Sequence, residues 1–70
     1  MKLSARNVLK GKVLKVTKGA VNSEVTLELP DGAQIVSVIT NTSVASLKLK
    51  KGKEAYAVIK ASNVMMAVDE

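Results

Sequence analysis

The stretch Glu24-Val25-Thr26-Leu27-Glu28-Leu29 alternates polar and apolar residues at a strict period of two, and Pro30-Asp31-Gly32 follows it at once. Successive side chains of a strand point to opposite faces, so this pattern predicts a β-strand closed by a turn. Val25, Leu27 and Leu29 form its apolar face, and Glu24, Thr26 and Glu28 its wet one. Such a strand belongs to a sheet covering a core on one side only. Similar punctuation recurs along the chain, where Gly11, Gly19 and Gly52 separate short apolar blocks. Leu14 and Val16 mark an earlier strand, ahead of the one containing Val25. Ile35-Val36-Ser37-Val38-Ile39 is apolar on both faces and reads as a central or interface strand. Thr40 has the chemistry of an N-cap, and Val44 and Leu47 at i, i+3 spacing predict a helix over 41–47, ended by Lys48 to Lys51 and Gly52. Two more strands are predicted over 54–59 and 63–68, the last with Met65 or Met66 facing inward as core.

Five or six strands with one short helix between the third and fourth long ones give an all-β fold, a small OB-like barrel formed by residues 1–70 as a single domain. A small open sheet or an SH3-like barrel has a similar linear pattern. At 70 residues the chain is near the size at which one core becomes marginal. Hydrophobic residues make up 47% of it, with Tyr56 the single aromatic, so the core must be stacked from small branched side chains. The chain has no cysteine and no histidine, which excludes disulfides and thiolate or imidazole metal sites. Self-association is the remaining route to stability, and it would bury part of the valine surface between subunits.

Eleven basic against six acidic residues leave a net charge of +5, which favours anionic partners. Two short segments concentrate the donors: Ser4-Ala5-Arg6-Asn7 and Lys60-Ala61-Ser62-Asn63. Neither contains a carboxylate. A fully ionised oxyanion has no proton to give, so a site for it offers donors alone. Ser4 and Asn7 supply side-chain donors, Arg6 a fork of N–H groups, Lys60 charge and Ser62 a hydroxyl, while Ala5 and Ala61 leave the backbone open to approach. A second candidate is Lys18-Gly19-Ala20-Val21-Asn22-Ser23, either a plain hairpin turn or a nest of backbone N–H groups. Lys48, Lys50, Lys51 and Lys53 read as a solvated turn at a helix end.

The run Ser4-Ala5-Arg6-Asn7 with Leu9-Lys10-Gly11 resembles the start of the Mop family, the molbindins, and of the related TOBE domains. The resemblance continues through Lys18 to Val25, Ser37-Val38-Ile39-Thr40, Ser43-Val44 and Ala57 to Met65, and so spans nearly the whole chain. It implies an OB-like fold, a homohexamer built as a trimer of dimers, and reversible binding of molybdate or tungstate at subunit interfaces, with no organic cofactor and no bare metal cation. It further implies that one donor cluster comes from each of two subunits, which assigns the dimer-interface site to Ser4, Ala5, Arg6, Lys60, Ala61 and Ser62. A second kind of site is implied on the threefold axis, with Lys18, Gly19, Ala20, Val21, Asn22 and Ser37, or Thr40, as its lining.

Three classes of function compete. A binding module for molybdenum storage and homeostasis is favoured by the two donor clusters and by the lack of an ATP-binding segment or helix-turn-helix. An OB-fold single-stranded nucleic-acid binder suits the charge but needs aromatic platforms, worth roughly 1–3 kcal/mol per stacked base, and only Tyr56 is available; no nucleic-acid partner is therefore expected. Catalysis is not expected, because Glu24, Glu28, Asp31, Glu54, Asp69 and Glu70 show no pairing and no nucleophile–base set exists. The first residues show neither a secretory signal nor a membrane span, so a cytoplasmic protein with no membrane partner is expected.

Overall fold

The computed structural model describes residues 1–69. One long strand organises it. Strand β1 (Asn7–Lys18) is twelve residues long, pairs through its first half with β4 (Glu54–Ile59) and through its second half with β2 (Asn22–Glu28), both antiparallel. Strand β3 (Gln34–Thr40) adds antiparallel to β2, giving the order β3-β2-β1-β4. The four strands curl into a half-barrel, with helix α1 (Asn41–Leu47) between β3 and β4 in the chain, as the OB-like pattern requires.

The predicted break at Gly11 does not exist; β1 runs straight through it. A Cβ on Gly11 would lie 2.3 Å from the Glu28 carbonyl oxygen, so this position is a glycine because the end of β2 crosses β1 in contact. Just beyond, the register with β2 shifts between Val13 and Lys15, a bulge that bends β1 and increases its twist. Val13 is buried at the bend. Its N–H donates to Lys53 O (2.9 Å) and its carbonyl accepts from Gly52 N (2.8 Å), which ties the turn before β4 to the middle of β1.

The core is small: Val13, Val25 and Leu27 are buried, with Val16, Leu29, Ile35, Ile39, Val44, Leu49, Ala55 and Ala57 half-buried around them. Thr26, read as part of a wet face, is 2% exposed. Its cross-strand partners Lys15 and Val36 flank it on the two adjoining strands. Strand β3 is an edge and not a central strand; Ile35, Ser37 and Ile39 turn inward while Val36 and Val38 remain exposed.

Helix α1 has the predicted bounds and cap, with Thr40 Oγ1 accepting from Ser43 N at 3.0 Å. Its end is different. Lys48, not a glycine, takes the left-handed conformation (φ 54°, ψ 42°), and Lys48 N and Leu49 N close onto Ala45 O and Val44 O. The Lys53 ammonium, placed by sequence in a solvated turn, donates to Leu47 O at 2.7 Å. Asn41 joins the helix to the β1–β2 loop: its N–H donates to Val21 O, its side-chain amide to Gly19 O, and its Oδ1 accepts from the buried Ser23 hydroxyl.

The strand predicted over 63–68 is absent. Ala61–Asn63 form a single 3-10 turn and residues 64–69 continue without a sheet partner, with Met65 and Met66 92% and 88% exposed, neither of them core. Strand-like composition needs a free edge within reach to become a strand, and the tail leaves β4 without returning along it.

Gly11→Ala is expected to force β1 and β2 apart at their crossing and to cost about 1–3 kcal/mol or more, read as a lower midpoint of thermal unfolding by circular dichroism. Asn41→Ala strands the Ser23 hydroxyl, and a destabilisation of about 1–3 kcal/mol follows. Adding Ser23→Ala to it should recover part of that loss, a non-additivity that denaturant titration of the double-mutant cycle measures.

Candidate functional site

The register of β1 with β4 opposes Asn7 to Ile59. Residues just before Asn7 and just after Ile59 must therefore emerge side by side from the same end of the sheet. Ser4, Ala5 and Arg6 from the first segment and Lys60, Ala61, Ser62 and Asn63 from the second line one shallow concavity of about 550 Å³, with Val58 as its apolar wall. All six residues predicted for this site are in it. The pairing of β1 and β4 brings both clusters together within one chain, where the resemblance divides them between two subunits.

Asn7 does not line the concavity. Its amide donates to Ile59 O at 3.3 Å, so the side chain read as an anion donor instead fastens the strand pair that makes the site. Asn63 takes its place as an amide donor among the lining residues. The residue was visible in the second cluster, but its inclusion depends on the 3-10 turn over Ala61–Asn63, in which Asn63 N bonds back to Lys60 O at 2.8 Å and folds the segment toward Ser4 and Arg6. The N–H groups of Ala61 and Ser62 stand at the head of that turn and are not used within it.

The electrostatics are one-sided. Among the described residues no carboxylate lines the concavity and neither Arg6 nor Lys60 is paired with an acid; the ion pair among them is Lys10 with Glu54, at 3.6 Å. Two cations, two hydroxyls and one amide thus converge without a built-in anion. A guanidinium and an ammonium attract a dianion, and charge-assisted hydrogen bonds to its oxygens are about twice as strong as neutral ones. The described residues contain no group of three or more acidic, histidine or cysteine side chains able to hold a metal cation.

The second candidate region lies at the opposite end of β1. Lys18, Gly19, Ala20, Val21 and Asn22 form the connection to β2, but Gly19 N already donates to Asn22 O at 2.8 Å, and the Gly19 and Val21 carbonyls accept from Asn41. A Cβ on Gly19 would meet Asn22 O at 2.7 Å. Within one chain Ser37 is not with this loop: it pairs with Val25 and lines the inside of the half-barrel. Thr40 is the β3 residue opposite Asn22, and its hydroxyl caps α1.

Comparison with known proteins agrees with this architecture. The TOBE domain family matches residues 3–66. A probable molybdenum-pterin-binding protein of Haemophilus influenzae is 46% identical over 69 residues, covering 99% of this chain and 100% of that protein. Molybdenum-pterin-binding protein 3 of Clostridium pasteurianum is 48% identical over 66 residues, 94% of this chain and 97% of the relative. Among solved structures, MopII from Clostridium pasteurianum superposes with a TM-score of 0.90 at 46% identity, covering 96% of this chain and all of that one. The cytoplasmic molybdate-binding protein ModG, solved with molybdate bound, superposes with a TM-score of 0.90 at 55% identity over 93% of this chain and 46% of its own. With matches of this extent across sequence and fold, the chain belongs to the TOBE domain family and, within it, to the molybdenum-pterin-binding proteins.

Proposed function

We propose that this protein captures molybdate, or tungstate, as a dianion in the concavity between the two donor segments, and that it does so as a homohexamer, a trimer of dimers, serving molybdenum storage and homeostasis in the cytoplasm. The observation that carries the reading is the convergence of Arg6, Lys60, Ser4, Ser62 and Asn63 on one surface with no carboxylate among its described residues, produced by the β1–β4 register. The names of the relatives and the molybdate-bound structure of one of them support molybdate as the anion. The chain spans nearly the full length of the Haemophilus influenzae and Clostridium pasteurianum relatives, which supports the same role as a binding protein and not as an enzyme.

Assembly is supported by the surface around the site. Val58 lines the concavity and is 47% exposed, and its cross-strand partner Val8 is 36% exposed beside it. An apolar pair at the rim of a charged concavity suits a protein neighbour, and a second copy docked there would exclude water from the anion and strengthen its hydrogen bonds. The Lys18–Asn22 loop, with Ser37, is the proposed lining of a second kind of site on the threefold axis, where copies of the chain would meet.

Native mass spectrometry is expected to show a hexamer that takes up several molybdate ions and, at equal concentration, far fewer sulfate ions, because the larger oxyanion sets longer donor distances. Molybdate at 100 times its Kd should then stabilise the assembled form by about 2.7 kcal/mol per site. A monomer that binds neither anion refutes the proposal. Arg6→Ala and Ser62→Ala should each weaken molybdate binding in calorimetry about tenfold or more while leaving the assembly intact, since each removes a charge-assisted hydrogen bond worth about 1.5–3 kcal/mol.

A further inference from the structure

Asn41 is the first residue of α1, yet its hydrogen bonds leave the helix for the β1–β2 connection. Its N–H donates to Val21 O at 2.8 Å and its side-chain amide to Gly19 O at 2.9 Å, while its Oδ1 accepts from the hydroxyl of Ser23, which is buried in β2. The side chain fits only one way round. Gly19 O can only accept, so the amide nitrogen must face it, and the amide oxygen is left for the Ser23 hydroxyl.

This arrangement takes over a bond that the hairpin would otherwise make for itself. Where two residues connect a pair of strands, as Ala20 and Val21 do here, the residues flanking them commonly exchange both backbone bonds. One direction is present: Gly19 N donates to Asn22 O at 2.8 Å. The return bond from Asn22 N to Gly19 O is not made, and Asn41 holds that oxygen instead. In a trans peptide the carbonyl and the following N–H point in opposite directions. With the Gly19 and Val21 carbonyls both turned to Asn41, the Ala20 and Asn22 N–H groups turn away from it. Ala20 and Val21 N–H donate to no other described residue. Lys18 at the base of the loop is exposed and, among the described residues, unpaired with an acid.

We propose that Asn41 is the positioning residue of the second anion site: it draws two carbonyl oxygens of the Lys18–Asn22 loop inward and so leaves the loop's N–H groups, beside the Lys18 ammonium, to an oxyanion. This rests on the second site proposed above for that loop and adds what holds the loop in its receiving form. A dianion is attracted by N–H groups and repelled by carbonyl oxygens, so the direction of each peptide plane decides what the loop offers it. Asn41 does not touch the anion; it acts through Gly19 and Val21. Because its own anchors are a buried serine and the start of a helix, the loop is fastened to the folded body and its donors are set before the anion arrives.

Two full-length variants test the assignment. Asn41→Asp keeps an oxygen for the Ser23 hydroxyl but sets a second oxygen, in place of a donor, against Gly19 O. Asn41→Ala combined with Ser23→Ala removes the same donor without adding charge or stranding the hydroxyl, and decides alone if the first variant does not fold. The backbone amide resonances of isotope-labelled, assembled protein are followed during titration with sodium molybdate, Ala20 and Asn22 reporting on the loop and Ala61 and Ser62 on the concavity. Both sets are expected to move in the wild type. In the variants the loop set is expected to need about tenfold more molybdate or higher, while Ala61 and Ser62 titrate as before, a split that general loosening of the fold does not produce. Equal weakening of both sets shows that Asn41 only supports the fold and overturns the assignment. A double variant whose loop titrates like the wild type overturns it too, and leaves the second site standing. Wild-type protein whose loop resonances do not move overturns the second site and the assignment together, and movement of Ala61 and Ser62 in that protein leaves the concavity standing.

Discussion

The contact on which the rest of this molecule depends is the passage of the Glu28 carbonyl over Gly11. It lets one strand serve two partners. Because β2 and β4 both meet β1 near Lys12, which pairs with Glu28 on one side and Glu54 on the other, the sheet must turn sharply there, and the bulge after Val13 supplies the turn. With any side chain at position 11, β2 would be displaced from β1 at the centre of the curl, and the inward faces of the four strands would no longer converge on Val13, Val25 and Leu27. The register that places Asn7 against Ile59 follows from the same alignment, and with it the meeting of the two donor segments.

Local chemistry was legible in the sequence wherever neighbours along the chain decide the outcome. Helix 41–47 with its Thr40 cap, the Pro30-Asp31-Gly32 turn and the donor segments all depend on residues within a few positions of one another, and all are where the pattern puts them. What escaped the pattern depends on distant residues. Gly11 reads as a break because isolated glycines usually are, and only the approach of Glu28, seventeen positions away, shows it to be a crossing. Thr26 reads as wet because its neighbours are glutamates, while its burial comes from Lys15 and Val36 on adjoining strands. The left-handed Lys48 offers no signal of its own, since a lysine takes this conformation only when the bonds of Lys48 and Leu49 to the last helical turn offset its steric cost.

The donor residues were readable from composition, whereas their partnership entered only through the family resemblance. Composition identified two segments rich in donors and empty of acids; it took the β1–β4 pairing to bring them together in a single chain, and to show that Asn7 is structural while Asn63 belongs to the lining. The thinness of the core is the other lesson of scale. Three buried hydrophobic side chains are few for a folded domain, and Val36, Val38, Tyr56 and Val58 remain on the outer surface of the edge strands. A single chain built this way leaves much of its branched apolar surface in contact with water.

The hydrogen bond from Asn7 to Ile59 joins residues 52 positions apart. The β1–β2 and β2–β3 hairpins close over loops of a few residues and can form early, whereas the β1–β4 ladder must wait until the intervening chain has been gathered in, because ordering a long loop costs entropy before its contacts return any. The concavity between the two donor segments is built on that last ladder. A chain arrested with its hairpins formed would hold both donor segments and yet have no concavity, so the meeting of Arg6 and Lys60 on one surface reports completion of folding as well as the presence of the right residues.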